Sequence, residues 1–136
     1  MSEASLDNLR RILAFSAIVE AGTGLALMFD PAVVADLLIG ASVSGVGAVM
    51  GRCFGIGLVA LGLACWPGTQ RAEGGSPALR AMLTYNALIA LYLAYLGTVA
   101  AMRGPLLWPA VGAHAVVALS LMWTWRRSRR IRPTAH

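Results

Sequence analysis

A chain of 136 residues is sized for one domain, and 58% of it is hydrophobic while only 12% is charged, about half the charge usual in soluble domains. So few charges cannot cover such an apolar surface in water, which leaves lipid as the solvent for most of it. The net charge of +5 does not indicate nucleic acid: five of the eleven arginines fall in the last eleven residues, and no DNA- or RNA-binding pattern accompanies them.

The first apolar run extends from Ile12 to Phe29 behind Arg10 and Arg11. A signal peptide can open this way, but Glu20 interrupts the run and hydrophobicity resumes through Leu25, Leu27 and Phe29. A retained transmembrane helix is expected over about 12–29. Asp30-Pro31 has the chemistry of an N-cap followed by a first helical residue. It predicts a short helix to Ile39, with Val33, Val34, Leu37 and Leu38 on one side and Asp36 on another. That helix is too short to span and is expected in the membrane interface.

The second span is predicted over about 43–66, closed by Pro67-Gly68, with Gly47, Gly51 and Gly55 at four-residue spacing. Small residues in this pattern let another helix approach closely. A polar connection from Pro67 to Pro77 follows, and Ser76-Pro77 is a good helix start. The third span covers about 81–101. Arg103-Gly104-Pro105 forms a turn, and the fourth span covers about 106–125, leaving a basic tail over 126–136. The expected fold is an all-α, four-helix transmembrane bundle in one integral membrane domain, 1–136.

Arginine placement gives the orientation. The N-terminus, central loop and tail hold Arg10, Arg11, Arg71, Arg80 and five tail arginines, whereas the opposite connections hold only Arg103. That imbalance predicts both termini in the cytoplasm. Trp66, Trp123 and Trp125 then fall at the inner interface and Trp108 at the outer one, as an aromatic belt requires. The absence of lysine and the wealth of Ala and Gly suggest a GC-rich bacterial source, hence the inner membrane.

Ionisable groups inside the hydrocarbon are the candidates for function, since each costs about 2.5–3.5 kcal/mol even on insertion scales. Glu20 and Arg52 are expected to pair across the first two spans, their backbones offset by roughly 9 Å along the membrane normal. His114 on the fourth span and Tyr92 on the third fall at a similar depth, and Thr23 is placed on the Glu20 face. Glu20, Thr23, Arg52, Tyr92 and His114 therefore form the expected midplane polar cluster. Tyr85, Tyr92 and Tyr95 make one stripe along the third span, with Asn86 on a neighbouring face; these groups either join helices by hydrogen bonds or line a polar cavity.

No cofactor or metal is expected: a bis-histidine haem needs a second membrane histidine, and Cys53, Cys65 and His114 lack zinc-ligand spacing. Cys53 and Cys65, roughly 18 Å apart on one helix, cannot bridge and are expected to be small buried hydrophobes. The run Arg126 to Arg132 is expected to enforce topology and to attract anionic lipid.

The segments EAGTGLALMFDP at 20–31, GRCFGIGLVALGLACWP at 51–67, MLTYNALIALYLAYLG at 82–97 and GPLLWPAVGAHA at 104–115 together resemble a family of small four-span bacterial membrane proteins, broadly of the DoxX-like type. The resemblance covers nearly the whole chain. It implies fold and membrane location and assigns no catalytic residue.

Three functions fit these features. The first is a non-enzymatic accessory or scaffold subunit of a membrane complex, favoured by small size and minimal loops. The second is an oligomeric small transporter or channel using the Glu20, Arg52 and His114 cluster. The third is a membrane enzyme or binder of a lipophilic substrate; the absence of any nucleophile, phosphate-loop or metal motif places it last.

Overall fold

The computed structural model describes residues 3–67 and 76–130, with side chains from 6 to 67 and from 76 to 127. Among these residues the fold is five helices and no strand: α1 (Glu3–Phe29), α2 (Pro31–Ile39), α3 (Gly45–Ala64), α4 (Pro77–Thr98) and α5 (Leu107–Arg130). All but α2 are long and apolar enough to cross a membrane, as in a multi-pass membrane protein. The polar connection at 68–75 and the end of the tail at 131–136 lie outside the described residues.

The helix starts follow the local chemistry. The Asp30 carboxylate accepts hydrogen bonds from the Ala32 and Val33 amides at 3.1 Å each, with Pro31 at the first helical position. Ser76 caps α4 through the Leu79 amide, with Pro77 next. Gly40 closes α2 at φ 71°, a left-handed conformation that glycine adopts without steric cost.

Several span boundaries differ from expectation, and α5 continues to Arg130 rather than ending near 125. Helix α1 begins well before Ile12, because Leu6, Leu9 and Leu13 continue one face and Leu9 is fully buried. Helix α4 covers Pro77–Thr98 rather than 81–101: the chain turns at Ala101, φ 54°.

Helices α1 and α3 form an antiparallel pair in which backbone meets backbone. A Cβ on Gly24 would fall 2.6 Å from the Gly55 carbonyl oxygen, and one on Gly62 would fall 2.7 Å from that of Ala17. One on Gly51 would meet Pro31. The close-approach ladder is therefore Gly51, Gly55 and Gly62; Gly47, expected in it, is exposed and meets only Val43 of its own chain segment. Helices α4 and α5 form the second pair, closing where Gly97 packs on Leu107 and Trp108.

The two pairs are joined at both ends. Towards the chain termini, Leu9, Leu13 and Ala17 of α1 pack with Leu79, Met82 and Leu83 of α4 and with Val117, Ala118 and Leu121 of α5 in one apolar core. At the opposite end, α2 docks on the α4–α5 turn: the Leu106 amide donates to the Leu37 carbonyl at 2.9 Å. Gly104 there abuts the Leu38 backbone so closely that no Cβ fits. Helix α3 packs on α1 and touches α2, but has at most marginal contact with α4 and α5.

Candidate functional site

The buried face of α1 carries Leu9, Leu13, Ser16, Ala17, Glu20 and Gly24, and that of α4 carries Leu79, Met82, Leu83, Asn86, Ala90 and Leu93. These are steps of three, four and one, a single stripe at helical period. The stripes bring Ser16, Glu20 and Asn86 together between the helices, each 1–2% exposed. Helix α5 adds His114 from the third side, its side chain 15% exposed.

The hydrogen bonds fix the chemistry of the cluster. Asn86 Nδ2 donates to the Met82 carbonyl at 2.9 Å, which can only accept, so the amide orientation is settled by the network. The same nitrogen donates to Ser16 Oγ at 3.2 Å, and the Ser16 hydroxyl is aimed at the Met82 sulfur at 3.4 Å. Asn86 Oδ1 then remains as an acceptor for His114 Nδ1 at 2.8 Å, so Nδ1 carries a hydrogen. In the neutral imidazole this leaves Nε2 as a bare acceptor.

Glu20 is the unusual member. Its Oε1 is fully buried and makes no hydrogen bond, and His114 Nδ1 stands 3.8 Å from it. The Tyr85 hydroxyl faces the same carboxylate, and the Tyr85 ring stands edge-on to the imidazole with centroids 5.9 Å apart and planes at 78°. Helix packing alone would not need a carboxylate with a free oxygen, since a buried polar group without a partner costs on the order of 1–3 kcal/mol. The arrangement can hold a proton on either of two adjoining groups, Glu20 or His114, with Asn86 fixing the orientation of the imidazole.

The other expected members lie elsewhere. Arg52 is exposed on α3, beside Gly51, which packs on Pro31 just past the end of α1. Eleven residues separate Pro31 from Glu20, so Arg52 stands roughly 16 Å along the helix from the carboxylate, and no Glu20–Arg52 ion pair forms. The expectation of a pair set Ile12 and Trp66 at one level, which gave an offset of roughly 9 Å; the register seen at Gly24–Gly55 and Gly51–Pro31 makes it larger, and Arg52 faces outward. Thr23 is exposed, because the buried stripe of α1 passes from Glu20 to Gly24. Tyr92 and Tyr95 are 59% and 52% exposed, their rings stacked on each other at 6.4 Å. Cys65 is buried but Cys53 is exposed, and both are free. Of the tail arginines, Arg126 and Arg127 are exposed, and Arg132 lies outside the described residues.

The sequence alone does not single out Ser16 and Met82. Their signal is the four-residue spacing Ser16 to Glu20 and Met82 to Asn86, which sets each pair on one helix face. No group of three His, Cys, Asp or Glu that could hold a metal occurs among the described residues. No family model, no curated protein and no solved structure matches the chain.

Proposed function

We propose that this chain is a small proton-coupled transporter of the bacterial inner membrane, with both termini cytoplasmic, α2 in the outer interface, and Glu20 and His114 as its proton-binding pair. The observation that carries this reading is the unpartnered Glu20 oxygen, buried 3.8 Å from an imidazole nitrogen. Two ionisable groups this close can bind protons as a coupled pair, and ionisable residues inside membrane proteins commonly mark ion or proton pathways. Arg52 is no part of this unit. The four segments quoted above support kinship with DoxX-like bundles, and nothing in that kinship opposes the reading.

The accessory-subunit reading keeps one specific support. Helix α3 uses one side against α1 and leaves Val46, Met50, Phe54 and Leu63 exposed, a surface that lipid or a partner helix, including a second copy, can cover.

Proteoliposomes carrying a pH-sensitive dye test the proposal. The wild-type protein is expected to dissipate an imposed pH gradient, Glu20→Gln to abolish this, and His114→Gln to alter its pH profile. Absence of flux in the wild type, together with a stoichiometric partner retained through gentle detergent purification, would replace it with the accessory reading.

A further inference from the structure

We propose that the Glu20 site takes a lipophilic organic cation in exchange for its proton, reached along the tyrosine face of α4; this rests on the proton-binding reading above. Among the described residues the carboxylate is the one buried acidic side chain, no arginine pairs with it, and one of its oxygens is uncommitted. Such a site is complementary to one positive charge and repels anions.

The surroundings select the kind of cation. A small metal ion needs several oxygen ligands, but the Asn86 oxygen is taken by His114, and Ser16 Oγ accepts from Asn86 while its hydrogen points to Met82. What else stands at the carboxylate is carried on aromatic side chains: Tyr85, whose hydroxyl faces Glu20, and the imidazole packed edge-to-face with the Tyr85 ring. Ring faces attract ammonium and phosphonium groups, which carry diffuse charge and shed water readily.

The exposed tyrosine face of α4 gives the side of approach. Towards the chain termini the cluster is closed by Leu13, Ala17, Met82 and Leu121. Towards the α2 end, Tyr85 leads on the same face of α4 through Leu88 to Tyr92 and Tyr95, all three of the latter more than half exposed. Tyr85 belongs both to this stripe and to the site. His114, 15% exposed, marks where the cluster meets the surface. A cation dissolved in the bilayer would pass along the phenol rings to Glu20. On binding, the Glu20 proton leaves, and the carboxylate then carries the charge that the cation balances.

The test uses the full chain in dodecyl maltoside with tetraphenylphosphonium as probe and uncharged tetraphenylsilane as its neutral counterpart. Equilibrium dialysis is expected to show saturable phosphonium binding that weakens on acidification, with proton release in unbuffered solution. Glu20→Gln should weaken binding roughly a hundredfold, as loss of a buried charge partner does, whereas Glu20→Asp, which keeps the charge, should retain measurable affinity. Tyr92→Ala and Tyr95→Ala should each weaken it roughly two- to fivefold. Equal uptake by wild type and a folded Glu20→Gln variant, or equal competition by tetraphenylsilane, overturns the cation site. Infrared titration of the Glu20 carboxyl band separates the two ideas. A titrating Glu20 without saturable phosphonium binding sinks the cation and leaves the proton reading, whereas a Glu20 that never titrates sinks both.

Discussion

Gly24 and Gly55 interlock across the α1–α3 crossing: a Cβ added to either would fall 2.6 Å from the carbonyl oxygen of the other. Neither backbone can give way without opening the helix pair. Gly55→Leu is therefore expected to lower stability by at least about 1–3 kcal/mol, the usual cost of overpacking. Gly57→Leu, at a position with open space around it, should leave the thermal midpoint in detergent nearly unchanged. Equal effects at the two positions would contradict this register.

Asn86 is expected to be the most sensitive polar position. Asn86→Leu orphans the His114 Nδ1 hydrogen and removes the hydrogen bonds to Ser16 and the Met82 carbonyl, each buried unsatisfied group costing about 1–3 kcal/mol. Thermal unfolding and the flux assay should both register the loss. A variant with wild-type stability would mean that the amide is not holding the imidazole.

Glu20 and Arg52 should behave independently. Standing roughly 16 Å apart by the helix rise, Glu20→Gln and Arg52→Met are expected to add within about 0.3–0.5 kcal/mol in a double-mutant cycle. Coupling much larger than that would restore the ion pair expected from the sequence.

Much of the architecture was legible because hydrophobic length, Asp30-Pro31 and Ser76-Pro77 each act locally: a capping carboxylate or hydroxyl needs only the next few amides. The candidate site was half legible. Glu20 and His114 stood out as polar groups in apolar runs, and Tyr85 and Asn86 were named beside them. Depth along the sequence then grouped Glu20 with Arg52 and Tyr92, yet depth says nothing about which way a residue faces, and the face assigned to Thr23 missed that the buried stripe runs from Glu20 to Gly24. Asn86 lies on the buried stripe of α4 and Tyr92 does not, although both sit in the same helix. The offset between α1 and α3 was illegible for another reason: it depends on where Gly24 and Gly55 meet, a contact between distant parts of the chain.

The attachment of α2 gives a further expectation. Gly104→Ala would push a methyl group into the Leu38 backbone and strain the Leu106–Leu37 hydrogen bond. Hydrogen exchange should rise in α2 and at 103–107 while the apolar core near the termini stays protected. Unchanged exchange in α2 would show that the turn does not hold it.

Topology can be checked directly. Reporter fusions after Phe29 and Arg103 should read external, and fusions after Gly74 and at the C-terminus internal. An external C-terminus would mean an odd number of crossings.

The pairing of α1 with α3 and of α4 with α5 has a consequence for synthesis of the chain. The first hairpin can close its glycine crossing before α4 has left the ribosome, but it supplies neither Tyr85, Asn86 nor His114. Until the second hairpin inserts and docks, the Glu20 carboxylate has no polar neighbour from another helix and faces the bilayer or the insertion machinery. Concealment of this one side chain is thus a marker of completed biogenesis, and a chain truncated after α3 should be an exposed acid in the membrane, open to quality-control proteolysis.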